Sequence, residues 1–251
     1  GQGSIAMEIV QELPTVDYII VPIGGGGLIT GISTLAKMLN PKIKVIGVEP
    51  AAAASMTAAL EKGEPVTLPS ANTIADGTAV KRVGETIFPY CQENIHQVLT
   101  VEDNELIGAF LDMVENHKMI VENSGLLAVA ALRQLDLKGK KAVVILSGGN
   151  MDVITMSSVV QHGLIQKDRI FSVSVLLPDK AGELVKVASI IAKEKGNVIK
   201  LEHNQFVSIN RINAVELRVT MEAYGTEHKM AILRALKESG YKPELVDTKL
   251  Y

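Results

Sequence analysis

Short apolar runs alternate with helix-like periodic stretches through the first two thirds of the chain. Three of the runs are rich in β-branched residues and carry no charge, which is typical of strands buried on both faces of a parallel sheet. They are Tyr18–Ile23, Val45–Val48 and Ala142–Leu146. After the first run, apolar residues recur at the spacing of one helix face, and these are Leu28, Ile32, Leu35 and Leu39. Strands alternating with helices predict an open α/β sheet with right-handed crossovers.

Two more helices are predicted in the same region. One begins at Thr100, because Asp103 three residues later would complete a capping box. Its apolar face would carry Leu106, Phe110 and Val114. The other runs from Leu126 to Leu135 and is rich in alanine and nearly uncharged, so we expect it to be buried.

The pattern changes after Gly163, where the polar stretch Gln166–Arg169 predicts a connector between domains. Beyond it, strand-like alternation and helical periodicity follow each other in the order βαββαβ, which is the split ferredoxin-like arrangement. We therefore assign residues 1–164 and 169–251 to two domains. A unit this small would bury more apolar surface by pairing with a second copy, so we expect a homo-oligomer.

Composition narrows the class of protein. Of 251 residues, 47% are hydrophobic and 21% charged, which favours a folded chain over a disordered one. The net charge of −3, without a basic run, argues against a nucleic-acid partner. A single cysteine argues against a disulfide framework, and the lack of a long apolar stretch argues against a membrane span. We therefore expect a cytoplasmic protein.

Four consecutive glycines, Gly24–Gly27, lie between a predicted buried strand and a predicted helix. Backbone without Cβ atoms can approach an anion closely at the positive end of a helix, so this loop indicates a phosphate site. Two alternatives stay open. The loop is a tight connection only, or Gly31 and the acid Glu49 extend it into a dinucleotide-binding pattern.

Two further polar segments are candidates for ligand contacts. Ser147–Asn150 follows a predicted strand, at the edge where ligands bind in such sheets, and a serine hydroxyl suits a neutral ring nitrogen. Thr73–Gly77 is a polar turn. A structural turn is an equal alternative for Ser147–Asn150, and simple loop chemistry is the alternative for Thr73–Gly77.

Five segments in order resemble threonine dehydratase (threonine ammonia-lyase) of the biodegradative type. They are Gly24–Leu28, Val48–Pro50, Thr73–Gly77, Val121–Gly125 and Leu146–Asn150. The resemblance implies a fold-type II, tryptophan-synthase-like enzyme that uses pyridoxal phosphate. It also implies a lyase reaction, in which threonine or serine loses the Cα proton and then water, and hydrolysis gives a 2-oxo acid and ammonia.

The resemblance also implies roles for individual residues. Those that would hold the cofactor phosphate are Gly24, Gly25, Gly26, Gly27 and Leu28. Ser147 would bond the pyridine nitrogen, and Glu122 would lie near the ring. Glu49 and the carbonyl of Ala53 match a divalent-cation site of related enzymes, although Ser55 stands where those enzymes have an acid.

The second domain resembles an ACT regulatory domain through Leu177–Leu184 together with Gly196 and Asn197. The resemblance implies that a small amino acid binds there as an effector. The residues that would hold it are Asp179, Lys180, Ala181, Gly182, Glu183, Leu184 and Asn197. A plain β-to-α turn is the alternative for this segment.

The Schiff-base lysine of the family lies upstream of its glycine loop, but no lysine precedes Gly24 here. We therefore expect a carboxy-terminal fragment that is inactive by itself, of a parent that deaminates threonine. Two alternatives stay open: a serine racemase-like enzyme, and a stand-alone ACT module that senses amino acids and dimerises.

Overall fold

A computed structural model describes residues 1–205 and 215–248. The chain divides into two compact units, Gly1–Val160 and Gln161–Tyr251. Within the described ranges, none of the helices has both the length and the apolar character needed to cross a membrane.

The first unit is built on four parallel strands. They are β1 (Tyr18–Pro22), β2 (Lys44–Pro50), β3 (Gln97–Val101) and β4 (Ala142–Val144). Their order across the sheet is β3-β2-β1-β4, which confirms the predicted open parallel sheet. The sequence pattern did not predict β3, because its last residues were interpreted as the start of a helix.

Seven α-helices surround this sheet or follow it along the described chain. They are α1 (Ser4–Glu12), α2 (Gly27–Leu39), α3 (Ser55–Lys62), α4 (Phe88–Asn94), α5 (Asp103–Asp112), α6 (Leu127–Ala130) and α7 (Val153–Gln166). Single 3-10 turns precede and follow α6, at Asn123–Leu126 and Ala131–Gln134. The continuous helix predicted from Leu126 to Leu135 is therefore three short turns, although its predicted burial is largely confirmed.

Side chains of β1 alternate between two cores. Ile19 and Val21 join the core on the side of α2, whereas Ile20 joins the other core with Phe110 of α5. The sheet centre is thus buried on both faces, as predicted. Strand β4 was also predicted to be buried, but it is half-buried throughout because it is an edge strand with β1 as its neighbour.

Helix α2 buries a different stripe from the one its spacing predicts. The buried residues are Ile29, Ile32, Ser33 and Ala36. Leu28 and Leu35 are half-buried, and Leu39 is 45% exposed. A Cβ on Gly31 would lie 2.8 Å from the backbone nitrogen of Gly3, so the start of α1 packs directly on α2. Because α2 has an apolar neighbour on two sides, most of its circumference is apolar and one stripe cannot be chosen from spacing alone.

Helix α5 begins three residues later than predicted. Glu102 is its N-cap and forms the capping box with Glu105, whereas Thr100 lies in β3. Pairing of Thr100 with Glu49 in the parallel sheet keeps that residue extended, so the sheet decides between two possible capping boxes.

The second unit has the predicted ferredoxin-like topology. Its elements are β5 (Ile170–Leu177), α8 (Glu183–Lys193), β6 (Asn197–Gln205), β7 (Val215–Glu222), α9 (Thr226–Glu238) and β8 (Glu244–Val246). The antiparallel strands lie in the order β6-β7-β5-β8. Alternate residues of β5, from Phe171 to Leu177, are buried in its core, as their spacing predicts. The alternating pattern in the sequence also places Ala214 at the start of the third strand, and this residue lies outside the described residues.

Candidate functional site

The glycine loop connects β1 to the N-terminus of α2 and leaves open space beside its backbone. Gly26 is the N-cap with φ +93°, and a Cβ there would lie 2.6 Å from the Ile87 side chain. In contrast, a Cβ on Gly25 or Gly27 would meet no atom within 4 Å. The first amides of a helix have no acceptor within it, and Thr30 makes the bond back to the carbonyl of Gly26. This glycine loop, the glycine cradle, therefore leaves open space beside the first amides of α2.

The Thr73–Gly77 turn lies against this cradle. A Cβ on Gly24 would be 3.2 Å from the Cα of Thr78, directly after the turn. The turn is anchored by Asp103 of α5, which accepts hydrogen bonds from Thr73 Oγ1 at 2.5 Å and from the Ile74 amide at 3.1 Å. A charged acceptor strengthens both bonds, so the turn is fixed beside the glycines.

The Val121–Gly125 and Leu146–Asn150 segments complete the same edge. Thr78 Oγ1 donates to Ser124 Oγ at 3.4 Å, which joins the turn to the first segment. The amide of Asn150 donates to Glu122 Oε2 at 3.3 Å, which joins the two segments. Ser147 is half-buried between them. Four of the five segments singled out in the sequence thus meet beyond the carboxyl ends of the parallel strands, where open α/β sheets bind ligands.

Glu49, at the end of β2, caps a helix. Its carboxylate is buried and accepts from the amides of Met56 and Thr57, at 2.6 and 2.9 Å, and from Thr57 Oγ1 at 2.8 Å. Burial raises the pKa of this carboxyl above its usual value, although these hydrogen bonds act in the opposite direction. Because both oxygens are bound at the N-terminus of α3, this acid is placed as a helix cap and not as the ribose acceptor of a dinucleotide pattern.

The suggested cation ligands lie together around this cap. Ala53 and Ser55 are both 1% exposed, and Ser55 Oγ has no hydrogen-bond partner within the described residues. Across residues 1–205 and 215–248, the structure contains no group of three or more histidine, cysteine, aspartate or glutamate residues arranged to hold a metal ion. A divalent cation at Glu49 and Ala53 stays a prediction.

The suggested effector residues fall into two places in the second unit. Asp179–Leu184 line a cleft of about 440 Å³ together with Leu201, His203 and Gln205 of β6. Asn197 lines a separate cleft of about 560 Å³, and its amide donates to Glu222 Oε2 at 2.8 Å. The structure therefore brings the β5–α8 turn into one cleft but does not bring Asn197 into it.

Gly182 and Glu183 begin α8. Gly182 is the N-cap with φ +92°, and a Cβ there would meet no atom within 4 Å. Glu183 accepts from Lys186 Nζ at 2.7 Å and from the Tyr241 hydroxyl at 3.1 Å. The hydrogen bond from Lys186 is the main cause that lowers the pKa of the Glu183 carboxyl. Conformation, not crowding, thus favours glycine at position 182.

Two residues that support the site were missed or misread in the sequence. Asp103 was interpreted as a capping residue, but it anchors the Thr73–Gly77 turn. Asn123 is 4% exposed and donates from Nδ2 to the Ile74 carbonyl at 3.0 Å, which binds the same turn from the other side. The partners lie 30 and 49 positions apart in the chain, so spacing carries no signal of either contact.

Comparison with known proteins identifies the family. The model of a protein family described as "Pyridoxal-phosphate dependent enzyme" matches residues 1–148. L-threonine ammonia-lyase of Geobacter sulfurreducens is 41% identical over 96% of this chain and 60% of its own length. L-threonine ammonia-lyase of Thermotoga maritima is 35% identical over 98% of this chain and 62% of its own length. The chain thus spans about 60% of the length of these relatives.

Solved structures agree with this result. The processed form of threonine deaminase isoform 2 from Solanum lycopersicum has a TM-score of 0.60 and 38% identity, over 64% of this chain and 48% of its own. Maize serine racemase has a TM-score of 0.58 and 34% identity, over 66% of this chain and 52% of its own. Since the family match covers more than half of the residues, including the glycine cradle and Ser147, this chain belongs to the pyridoxal-phosphate dependent enzymes.

Proposed function

We propose that this chain carries the cofactor-binding part of an enzyme that converts threonine, and also serine, to a 2-oxo acid and ammonia. The observation that carries the proposal is the meeting of the glycine cradle, the Thr73–Gly77 turn, Glu122 and Ser147 at one edge of the parallel sheet. Relatives named L-threonine ammonia-lyase, at 35% and 41% identity, support the choice of substrate.

The cradle fits the phosphate of the cofactor. The proposed contacts come from the backbone of Gly24–Gly27 and from the amide of Leu28, at the positive end of a helix of 13 residues. The space beside Gly25 and Gly27 is free of protein atoms within 4 Å of a Cβ position, so an anion oxygen has room next to the amides. An alanine at either position would occupy that room.

Ser147 is proposed to bond the ring nitrogen of the cofactor. When bound, pyridoxal phosphate supplies an electron sink that eases loss of the Cα proton from an amino acid. A hydroxyl group is a neutral partner that leaves a ring nitrogen unprotonated. Glu122, whose carboxylate is bonded to the Asn150 amide, lies in the same constellation as a second proposed cofactor-site residue.

We also propose that these 251 residues do not deaminate threonine by themselves. The side-chain amines of Lys37, Lys81 and Lys118 donate to backbone carbonyls of exposed residues, and Lys141 donates to Thr15. None of these four lysines is thereby directed at the glycine cradle. Borohydride reduction with one equivalent of pyridoxal phosphate should therefore label none of these four lysines stoichiometrically.

The second unit is proposed to act as an ACT regulatory domain that binds a small amino acid in the cleft formed by Asp179–Leu184. The amides of Leu184 and Val185, in the first turn of α8, a helix of 11 residues, suit the carboxylate of that effector. We further propose that copies of the chain associate through this unit and that the protein is cytoplasmic.

A binding experiment tests the cofactor site without requiring catalysis. The chain would be titrated with 4′-deoxypyridoxine 5′-phosphate, which has the ring nitrogen and phosphate but no aldehyde, and separately with NAD. The proposal expects saturable binding of the first compound and none of the second. Binding of NAD alone would replace the proposed function with the dinucleotide alternative.

A further inference from the structure

The Glu122 carboxylate occupies the space that the absent side chain of Gly148 leaves, beside the Thr73–Gly77 turn. Gly148 has φ +85°, and a methyl group there would overlap the Glu122 carboxylate. A Cβ on Gly77 would lie 3.6 Å from Glu122 Oε1. Glycine at position 148 therefore leaves room for the acid, whereas a Cβ on Gly77 would first meet Ser124 Oγ, at 2.9 Å.

The loop that carries Ser147 is held by β1 before this serine and by Glu122 after it. Ile145 makes the last backbone bond to β1, to the Ile20 carbonyl at 3.0 Å, so Ser147 lies beyond the sheet ladder. After it, the Glu122 amide donates to the Gly148 carbonyl at 3.4 Å, and the Asn150 amide donates to Glu122 Oε2 at 3.3 Å. These contacts replace the ladder as the support of the loop.

Gly125 contributes the third contact. Its Cα lies so close to the Ser147 carbonyl that any Cβ would overlap the carbonyl oxygen. The Ser147 backbone therefore packs against Gly125, and the residues after it are held by the hydrogen bonds of Glu122 with Gly148 and Asn150. A loop fixed in this way holds the Cα–Cβ bond of Ser147 in one direction.

We propose that Glu122 is a positioning residue for the Ser147 hydroxyl and acts through the backbone of Gly148–Asn150. The inference rests on the proposed function, because Ser147 is assigned there to the ring nitrogen of the cofactor. It gives Glu122 a role that needs no contact with the cofactor. The carboxylate selects the loop conformation in which a neutral hydroxyl faces the ligand.

The loop itself can be tested without a ligand. Amide hydrogen exchange of Asn150 would be measured by NMR in the 251-residue chain, in Glu122→Ala and in Glu122→Gln. Removing the acceptor should make exchange about five-fold faster in Glu122→Ala, whereas glutamine keeps an acceptor and should restore the slow rate. Equal rates in all three proteins would overturn the proposal.

The link to Ser147 can be tested by a double-mutant cycle with two ligands. The probes are 4′-deoxypyridoxine 5′-phosphate and its analogue with C–H in place of the ring nitrogen. Glu122→Ala should weaken the first probe about five-fold and leave the second unchanged, and it should have no further effect in a Ser147→Ala background. Equal losses for both probes, or additive losses with Ser147→Ala, would show that Glu122 is merely structural.

The two proposals can fail separately. If the unaltered chain binds neither probe, the proposed function is wrong, and the exchange rates of Asn150 alone decide whether Glu122 orders the loop. If both probes bind and the exchange rates do not respond to Glu122→Ala, the cofactor site stands and the positioning role is rejected.

Discussion

Thr73 Oγ1 donates to Asp103 Oδ1 at 2.5 Å, and this bond joins a turn at the candidate site to the first residue of α5. The Ile74 amide donates to the other carboxylate oxygen at 3.1 Å. Asp103 thus uses both oxygens on the turn, while Glu102 and Glu105 close the capping box of the helix. The N-terminus of α5 and the Thr73–Gly77 turn of the candidate site are consequently fixed to each other by the same residue, Asp103.

Breaking this bond should destabilise the first unit. Thr73→Val keeps the shape of the side chain but leaves Asp103 without its hydroxyl donor, and we expect a loss of about 1.5 kcal/mol in the free energy of unfolding. Urea unfolding followed by circular dichroism measures it. Thr67→Val is the control, because its hydroxyl meets Arg82 at the exposed surface and should change stability by less than about 0.5 kcal/mol.

The sequence predicted the elements that local pattern determines and missed those that pairing determines. The boundaries of β1 and α2 follow from an apolar run and from glycines at a helix start, which are local signals. In contrast, two residue pairs satisfy a capping pattern, namely Thr100 with Asp103 and Glu102 with Glu105. The parallel pairing of β3 with β2 decides between these two pairs. The glycine and serine loops were identified as candidate sites in the sequence, whereas the Thr73–Asp103 and Asn123–Ile74 contacts arise only when distant segments fold together.

A methyl group added at Gly27 should weaken ligand binding without lowering the stability of the chain. In Gly27→Ala the new Cβ meets no protein atom within 4 Å, and alanine is favoured over glycine in a helix, so stability should not fall. The methyl would enter the proposed phosphate space, and binding of 4′-deoxypyridoxine 5′-phosphate should weaken at least ten-fold, about 1.4 kcal/mol.

Gly108→Ala provides the matched control for that variant. Gly108 lies in α5, and a Cβ there also meets no atom within 4 Å. Both variants should be at least as stable as the original chain, but Gly108→Ala should bind the probe normally. Similar probe affinities for the two alanine variants would contradict the phosphate role of the loop.

The second unit should lose stability in acid through Asp168. Its carboxylate accepts from Lys229 Nζ and Thr226 Oγ1, each at 2.8 Å, and the bond from Lys229 is the main cause that lowers its pKa. An acid whose pKa is lower in the folded state stabilises it above its unfolded pKa, near 3.9, and that stabilisation is lost as the pH falls through the folded pKa.

Asp168→Asn removes this dependence while an asparagine still tolerates the backbone φ of +54°. We expect a loss of about 1 kcal/mol at pH 7 that shrinks as the pH falls from about 5 to about 2, measured by thermal unfolding of the second unit. A constant difference between Asp168→Asn and the original chain over this range would refute the linkage.

Within residues 1–205 and 215–248, strand β6 pairs with β7 on one side only. It lies at one end of the sheet of the second unit, and its bulged residue Ile199 is 44% exposed. Unpaired strand edges with exposed apolar residues favour pairing with another chain, so we expect a dimer at micromolar concentration by sedimentation. Ile199→Lys should shift it to monomer, whereas Val185→Lys, on the exposed face of α8, should not. A monomer before any substitution would reject association through this edge.

The effector cleft should respond to a small amino acid through Gly182. An effector present at ~100 times its dissociation constant would stabilise the second unit by ~2.7 kcal/mol, which a thermal-shift panel of amino acids detects. Gly182→Ala adds a Cβ beside the amides proposed to bind the effector carboxylate and should remove more than half of that shift.

Gly240→Ala is the matched control, because Gly240 also has a positive φ, +90°, and a Cβ there would also meet no atom within 4 Å. Both alanines carry the same backbone strain, about 1 kcal/mol, so only a loss of ligand response can distinguish them. If no amino acid moves the melting temperature, or if both variants keep the full shift, the β5–α8 segment is a structural turn.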